Sequence, residues 1–255
     1  MGVDADGGMV RRAREVFANL SPEDEKGKGK VDFIQGDIET FVESMTKMGE
    51  KKYEMGEKKY EKGEKKYEKP DLILSNSTFH WLRRRTRIPT IQRLLKYGVK
   101  EGGVVAIQMP DSWWQDSHRV MREVAKQSNK PWSRYFEDVR VGVWVDEERP
   151  DFDPVEMAEE WYNGLVGECG GGEEGLQIWR TEYMHFLKGG VGEVVEWVKG
   201  SGLRPFLERI ADKGVEKEFL EEYRRGLEKE YEVLEGNTVG LGYWRFFFVG
   251  VRKGV

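Results

Sequence analysis

The stretch Asp71–Leu82, DLILSNSTFHWL, decides the fold predicted for this chain. Its first half is an apolar run that ends in the polar residues Ser75–Thr78. This pattern is expected of a short buried strand whose carboxyl end lies at a polar, solvent-accessible surface. A second apolar run, Gly103–Met109 (GVVAIQM), ends at Pro110-Asp111. Between the two runs, Ile88–Tyr97 (IPTIQRLLKY) has the apolar spacing of a helix. The order strand, helix, strand predicts a parallel crossover unit.

The carboxyl ends of these two strands are where the sequence places a ligand site. In open α/β sheets, ligands bind beyond the carboxyl ends of the parallel strands. Those ends carry Asn76–Trp81 and Gln108–Asp111. We therefore expect the functional residues of the first half of the chain to lie there.

Composition excludes several classes of protein. The 255 residues suffice for one large domain or for a core with an elaborated cap. A net charge of −5 with mixed signs is not that of a nucleic-acid-binding or membrane-binding protein. The single cysteine, Cys169, excludes an internal disulfide and indicates a reducing compartment. With no visible signal peptide or bilayer-spanning stretch, we expect a cytoplasmic protein.

The rest of the chain continues the α/β pattern. Gly2–Ala5 has the character of a strand end before a helix at Met9–Leu20, and Val31–Ile34 predicts a second strand before a helix at Glu39–Met45. Further helices are predicted at Ser117–Lys126, Pro154–Val166, Val191–Gly200, Leu203–Ile210 and Val215–Leu234, and further strands at Leu176–Leu187 and Tyr243–Val251.

A sevenfold repeat interrupts this pattern. The units are MGEKKYE at Met48–Glu54 and Met55–Glu61, and KGEKKYE at Lys62–Glu68. A coiled coil needs two apolar seam positions per heptad, which these units lack, and each glycine weakens a helix by about 1 kcal/mol. We interpret the repeat as a solvated insertion, with a charged partner-binding arm as the alternative.

Acidic side chains follow the first two predicted strands. Asp4 could accept hydrogen bonds from both hydroxyls of a ribose, as acidic residues do in dinucleotide-binding folds. Asp37 could accept from the exocyclic amino group of adenine, and Ile38 could cover the ring. The alternative is that Asp4 and Asp37 are helix caps, which requires no ligand.

Several segments together resemble a known family. GVDA (Gly2–Ala5) with Met9, QGDI (Gln35–Ile38), DLILSNSTFHWL and GGVVAIQMPDSWW (Gly102–Trp114) resemble class I S-adenosylmethionine-dependent methyltransferases. The segments MPDSWWQDSHRVMREVA, LQIWRTEYMHFL, VVEWVKGSGLRPFL and YWRFFFVGVR are similar to the trans-aconitate methyltransferases within that family. The resemblance covers nearly the whole chain except the heptad insert and the region around Trp132–Gly170.

The resemblance implies a fold and a cofactor. The fold would be α/β, with a Rossmann-like, mostly parallel seven-stranded sheet, helices on both faces and a helical cap. S-adenosyl-L-methionine would be bound with its ribose on Asp4, its adenine on Asp37 and Ile38, and its methionine part beside Asn76. Residues 1–110 would form a partial cofactor-binding core, with the low-complexity insert at 46–69. Residues 111–241 would form a cap and acceptor-binding region that includes a core strand near 176–185. Residues 242–255 would form a C-terminal core strand.

One departure from the family stands out. Members open with a strand and a Gly-rich loop of the kind DxGxGxG, and no such loop precedes Gly2. We therefore interpret the sequence as N-terminally truncated. The alternatives to an active enzyme are a catalytically impaired fragment or a pseudo-enzyme.

The chemistry implied by the resemblance is methyl transfer to a small polycarboxylate such as trans-aconitate, which forms a methyl ester. A carboxylate acceptor is ionised at neutral pH and needs no base, but it needs cations to hold it. The candidates for binding the acceptor are Trp113, Arg180, Tyr183, Arg204 and Arg245. The alternative, which requires no acceptor, is that each arginine pairs internally or reaches solvent.

His80 is the candidate catalytic residue. It follows the Asp71 strand and could act as a base or donate a hydrogen bond to the acceptor. A packed imidazole beside Trp81 is the alternative. The histidine and cysteine spacings predict no metal site, and the expected partner is a small carboxylate rather than nucleic acid or membrane. Methylation of another small molecule stays open.

Overall fold

A computed structural model describes residues 2–18, 33–44, 46, 69–144, 148–170 and 175–254 of this chain. The heptad repeats and most of the insert predicted at 46–69 lie outside the described residues. The strands are β1 (Gly2–Asp4), β2 (Phe33–Gln35), β3 (Leu72–Asn76), β4 (Val104–Pro110), β5 (Leu176–Lys188), β6 (Val233–Leu234) and β7 (Thr238–Val251). The helices are α1 (Gly7–Ala18), α2 (residues 38–44), α3 (Arg84–Arg93), α4 (Asp116–Ala125), α5 (Ala158–Leu165), α6 (Val191–Lys199), α7 (Arg204–Arg209) and α8 (Lys213–Leu227).

The described strands form two sheets. β1 and β2 make a parallel pair, and the five-stranded sheet has the order β3-β4-β7-β5, with β6 also on β7. β3 and β4 are parallel, whereas β7 runs antiparallel to β4, β5 and β6. Within this sheet β7 is therefore the one reversed strand, and the others point the same way. The predicted α/β class with a mostly parallel sheet is confirmed.

The predicted crossover unit is present as β3, α3 and β4. α3 packs on one face of the sheet because its apolar side chains recur at helical spacing, and Ile91, Leu94 and Leu95 are fully buried there. They belong to one hydrophobic cluster with Val105 and Ile107 of β4. The helix begins before Ile88 and ends in a π-helical turn at Leu94–Gly98. This unit fixes the edge of the sheet at which β3 and β4 end.

β7 joins two hydrophobic cores because it buries opposite faces along its length. Val239 and Leu241 belong to the cluster formed with α4, α6, α7 and α8, which we call the cap helices, whereas Phe246 and Phe248 belong to the cluster under α3 and α5. Successive strand residues point to opposite faces. The odd-numbered residues therefore face the cap and the even-numbered ones face α3. Arg245 lies on the cap side, immediately beyond the part of the strand that the cap helices cover.

Two helices differ from their predicted boundaries, one at its C-terminus and one at its N-terminus. The helix predicted at Val215–Leu234 stops at Leu227, and its last residues form β6. The missed signal is Gly236-Asn237, where positive φ values of 70° and 53° make the tight turn into β7. The helix predicted at Pro154–Val166 starts only at Ala158, because the preceding residues are extended around buried carboxylates.

Candidate functional site

A hollow of about 500 Å³ lies at the carboxyl ends of β1, β2 and β3. Its lining from the smaller sheet includes Val3, Ala5 and Gly36–Ile38, and its lining from β3 includes Ser77 and Thr78. The structure therefore brings the ends of three strands, predicted separately from sequence, around one cavity. Its volume falls within the roughly 300–1,000 Å³ range of small-molecule and cofactor sites.

Two aspartates at this edge cap helices. The Oδ1 atom of Asp37 accepts hydrogen bonds from the backbone N–H groups of Glu39 (2.9 Å) and Thr40 (3.1 Å). The Oδ1 atom of Asp6 accepts from Gly8 (2.7 Å) and Met9 (3.2 Å) at the start of α1. Asp37 is thus the cap that one interpretation required, and it also lines the hollow.

Asp4 ends β1, where its backbone is in register with Gln35 of β2. Its side chain is outside the described part of the structure, but its neighbours Val3 and Ala5 both line the hollow. Because Asp6 supplies the cap of α1, Asp4 is not needed for that purpose.

The backbone turns sharply after β3. Ser77 has a positive φ of 56°, a conformation that is unfavourable for a residue with a side chain and that recurs at functional sites. Its N–H donates to the carbonyl of Gln108 at 2.8 Å, which holds the turn against the end of β4. The turn points Ser77 and Thr78 at the hollow and leaves Asn76 at the strand end.

A chain of polar side chains crosses the ends of β3, β4 and β7. Arg245 donates from Nη1 to Ser77 Oγ at 3.1 Å. In the amide orientation that satisfies both neighbours, Gln108 accepts from Arg245 Nε (3.3 Å) and Nη1 (3.2 Å) and donates to Asn76 Oδ1. Ser77 therefore separates the hollow from a guanidinium group on the cap side of the sheet.

Within the described part of the chain, no carboxylate balances the charge of Arg245. Its partners are the neutral groups of Ser77 and Gln108, and its guanidinium carbon lies 4.5 Å from the ring centre of Tyr243. A half-buried guanidinium with only neutral partners favours an anion in its vicinity.

Arg180 has a different environment. Its Nε donates to Asp111 Oδ2 at 2.6 Å, and its Nη2 donates to the carbonyl of Glu156 at 3.2 Å. In the β5–β7 register Arg180 is opposite Phe246, whereas Arg245 is opposite Thr181. Residues directly opposite each other share a face, so Arg180 and Arg245 point to opposite faces of the sheet. The internal pairing weighed from sequence is what the structure shows for Arg180.

Arg204 reaches the hollow from the cap. It is the first residue of α7 and lines the hollow together with Trp81, and its guanidinium carbon lies 5.9 Å from the ring of Trp81. Its Nε is 3.6 Å from Glu208 on the same helix. Arg204 is therefore next to the cofactor-sized cavity.

The two remaining aromatic candidates differ in exposure. Trp113 is only 4% exposed, with the guanidinium carbon of Arg122 at 3.9 Å and that of Arg149 at 5.6 Å from its ring. Tyr183 is 44% exposed and lies opposite Tyr243 on the neighbouring strand. Of the predicted acceptor residues, the structure thus packs Trp113 between cations and leaves Tyr183 open beside the strand that carries Arg245.

His80 is buried beside the hollow. Its ring lies 4.8 Å from Trp81 and 5.5 Å from Phe152, and its Nδ1 atom has no hydrogen-bond partner among the residues that the structure describes. Burial, with the positive charges of Arg87 and Arg245, lowers the pKa of His80 to about 3. The imidazole is therefore neutral at physiological pH and too weakly basic to remove a proton efficiently.

The sequence-based interpretation missed a buried ion pair behind this site. Arg87 is fully buried, donates to Glu156 Oε2 at 2.7 Å, and donates to the carbonyls of Phe79 (3.0 Å) and Leu82 (3.1 Å). It thereby holds both ends of the segment that carries His80 and Trp81. The available signal was the alternation of charged and apolar residues in RPDFDPVE, residues 149–156.

No helix in the described part of the chain combines the length and apolar character that a bilayer crossing requires. The His, Cys, Asp and Glu side chains of the described residues form no group of three or more that could hold a metal ion.

Comparisons with known proteins find similar curated sequences that carry one name. The chain is 36% identical over 183 residues to a trans-aconitate 2-methyltransferase of Rhizobium rhizogenes, covering 72% of this chain and 64% of the relative. It is 31% identical over 183 residues to a protein of the same name from Escherichia coli, covering 71% and 62%. The chain thus spans a little under two thirds of the length of these curated relatives. No family model matches.

Solved structures give a weaker likeness. The YcgJ protein of Bacillus subtilis is 12% identical, with a TM-score of 0.45, covering 100% of this chain and 82% of that protein.

Proposed function

From the homology of this chain to proteins named trans-aconitate 2-methyltransferase, we propose that it is an S-adenosylmethionine-dependent methyltransferase that forms a methyl ester on a small polycarboxylate such as trans-aconitate. The observation that carries the proposal is the position of Arg245. Among the described residues its guanidinium has only neutral partners, and Ser77 separates it from a hollow of cofactor size.

The residues around the hollow fit S-adenosylmethionine. Asp4 would take the ribose hydroxyls, and the second carboxylate oxygen of Asp37 would accept from the adenine amino group while Oδ1 remains the helix cap. Ile38 would cover the adenine ring, and Asn76 would lie by the methionine part. When bound, the cofactor supplies a methyl group already activated by its sulfonium.

The acceptor is held on the other side of Ser77. Arg245 binds one carboxylate of the acceptor with two N–H groups in a fork geometry that suits an anion of this shape. A second carboxylate is left to face the methyl group. Because that carboxylate is ionised at neutral pH, the protein has to align and desolvate it rather than deprotonate it.

A neutral His80 is compatible with an acceptor that Arg245 binds and that needs no deprotonation. An imidazole with a pKa of about 3 carries no charge that would compete with Arg245 for the acceptor. Its unpartnered Nδ1 is available for one hydrogen bond at the boundary between cofactor and acceptor. We therefore assign His80 to positioning through a hydrogen bond and not to proton removal. Arg204, next to Trp81, closes the hollow from the cap.

A calorimetric titration of this chain with S-adenosylmethionine tests the proposal. Saturable heat is expected, and trans-aconitate added to the complex with S-adenosylhomocysteine should give a second saturable signal. Silence in the first titration would favour the impaired fragment or pseudo-enzyme. Saturation with the cofactor but with none of a panel of carboxylates, against hydroxyl and amine acceptors, would favour another small molecule.

The cytoplasm is the compartment that we propose for this activity. The support is the single cysteine, Cys169, which is buried and whose pKa burial raises to about 11. Such a thiol forms no disulfide readily and suits a reducing environment.

Replacing Asp37 separates its capping role from its binding role. Asp37→Asn keeps an oxygen for the cap but replaces the acceptor facing adenine by a donor, so the affinity for S-adenosylmethionine should fall about 10-fold to 100-fold with little loss of stability. Asp37→Ala should lower the affinity similarly and also remove about 1 kcal/mol of unfolding free energy. Calorimetry and urea unfolding give the two quantities. Unchanged cofactor affinity in Asp37→Asn would leave Asp37 as a cap alone.

Replacing Arg245 tests the acceptor side. Arg245→Gln should weaken binding of trans-aconitate about 100-fold, because a charge-assisted pair is lost, while the affinity for S-adenosylhomocysteine changes by no more than a few fold. Arg180→Gln is the matched control, since Arg180 is paired with Asp111 on the opposite face. Equal effects of the two variants on acceptor affinity would contradict the assignment.

A further inference from the structure

The outer edge of β5 is unpaired in the described structure. β5 runs from Leu176 to Lys188, pairs with β7 on one side, and is the last strand of the sheet. A long open edge offers backbone N–H and C=O groups to another strand, and natural proteins usually cover or interrupt such edges. β5 has neither a proline nor a glycine over its 13 residues.

Apolar side chains are exposed along the second half of β5. Tyr183 is 44% exposed, Met184 is 51% exposed and Phe186 is 66% exposed. Leu176 and Ile178, in the first half, are half-buried against the cluster under α3 and α5. Leu176 and Ile178 thus anchor the first half in the core, although Trp179 is 42% exposed, while the second half carries large apolar side chains in solvent.

The sequence of β5 is complementary to itself in antiparallel register. Pairing centred on Thr181 sets Trp179 against Tyr183, Ile178 against Met184 and Leu176 against Phe186 of a second copy. The same register sets Glu182 against Arg180, whose Nε and Nη2 atoms keep their bonds to Asp111 and to the carbonyl of Glu156. Each exposed apolar residue thereby meets an apolar partner from the anchored half of the other strand.

The charged pair at the centre selects this register. Glu182 has no ion-pair partner among the described residues, and it shares the α3 face with Arg180 because their positions differ by two. Centring the pair on Arg180 would set Ile178 against Glu182, and centring it on Glu182 would set Arg180 against Met184. Charged residues on an edge strand normally prevent pairing with another strand. Of these three registers, only the one centred on Thr181 places opposite charges, those of Arg180 and Glu182, directly opposite each other.

We propose that two copies of this chain form a symmetric dimer by antiparallel pairing of their β5 strands about Thr181. The two five-stranded sheets then continue into one another, which satisfies the open backbone groups of both edges. The interface is isologous, because each copy contributes the same strand and each pair occurs twice. The partner is therefore a second copy rather than an unrelated peptide.

A cysteine at the symmetry axis tests the register. In Thr181→Cys the two introduced thiols face each other, and the roughly 4.5–5.5 Å between Cα atoms of antiparallel partners suits a disulfide. Mild oxidation should convert this variant to a covalent dimer at least about 10-fold faster than Ser201→Cys, a control in the loop after α6. Cys169 adds no background because it is buried and its pKa is raised to about 11. Equal rates of crosslinking in the two variants would overturn the register.

Sedimentation of the unmodified chain tests the dimer itself. We expect a reversible dimer whose dissociation constant rises about 100-fold in Met184→Lys/Phe186→Lys, because four apolar pairs are lost per dimer. Val233→Lys, on β6 and 53% exposed in the wild type, is the control and should leave the constant unchanged. A wild-type chain that sediments as a monomer at all concentrations would overturn the proposal, whatever the titration with S-adenosylmethionine shows.

Discussion

The variant Arg87→Met is expected to lose about 3–5 kcal/mol of unfolding free energy, a large fraction of the stability of a domain of this kind. The guanidinium is fully buried and is the salt-bridge partner of Glu156, whose side chain is 2% exposed. Removing the cation leaves a carboxylate in a low-dielectric environment without its counter-charge. It also leaves the carbonyls of Phe79 and Leu82 without their donor.

The loss should extend to the cofactor hollow. Arg87 ties both ends of the segment that carries His80 and Trp81, and Trp81 and Leu82 line the hollow. Releasing that segment should weaken binding of S-adenosylmethionine at temperatures where the variant is still folded. Urea unfolding measures the first effect, and a cofactor titration measures the second.

A double-mutant cycle separates the free-energy cost of the uncompensated carboxylate from the cost of the lost hydrogen bonds. Arg87→Met combined with Glu156→Gln removes both charges, so it should be more stable than Arg87→Met alone by about 1–3 kcal/mol. Arg87→Lys keeps the charge but cannot reach two separated carbonyls with one ammonium, so it should lie in between. A double variant no more stable than the single one would show that the cost is the lost hydrogen bonds and not the stranded carboxylate.

The fold was predictable where one chemical pattern dominates a segment. The apolar runs of β3, β4 and β5 and the helical spacing of α3 and α4 give the correct elements, because local periodicity and burial agree there. The end of α8 was not found, because a charged amphipathic pattern continues past Leu227 while Gly236-Asn237 turns the chain into a hairpin. The extended segment before α5 was missed because one of its buried carboxylates, that of Glu156, pairs with Arg87, which is distant in sequence.

The site was predictable as a place and only partly as a set of residues. The rule that ligands lie at the carboxyl ends of parallel strands led to Asp37, Asn76 and the segment after it, and the structure puts their strand ends around one hollow. It could not tell Arg180 from Arg245, since both occupy aromatic runs. That difference depends on the register between β5 and β7, which places the two side chains on opposite faces, and register is a property of pairing rather than of either strand.

Two buried histidines should make the fold sensitive to mild acid. His80 and His118 both have a pKa lowered to about 3 from the ordinary 6.5, chiefly by burial and then by arginines, Arg87 and Arg245 for His80 and Arg122 for His118. His118 is fully buried, and its ring nitrogens lie 3.2 Å from Ser112 Oγ and 3.1 Å from Ser117 Oγ. Neither imidazole can be protonated in the folded state at pH 5, whereas both are protonated in the unfolded chain.

The direction of the effect follows from proton binding. Between pH 6.5 and 3 the unfolded state binds more protons than the folded state, so stability is lost as the pH falls through this window. Each histidine should cost about 2 kcal/mol on going from neutral pH to pH 5. Asp151 acts in the opposite direction, because burial raises the pKa of its carboxyl and its protonation favours the folded state.

Variants isolate the histidine contribution from that of Asp151. Urea unfolding at neutral pH and at pH 5 should show a difference in unfolding free energy that is about 2 kcal/mol smaller in His118→Gln than in the wild type, since glutamine can still bond the two serine hydroxyls without titrating. A wild-type pH dependence retained in full by His118→Gln would mean that His118 is protonated in the folded protein at pH 5, so that its burial among serines and aromatic rings does not exclude the charge.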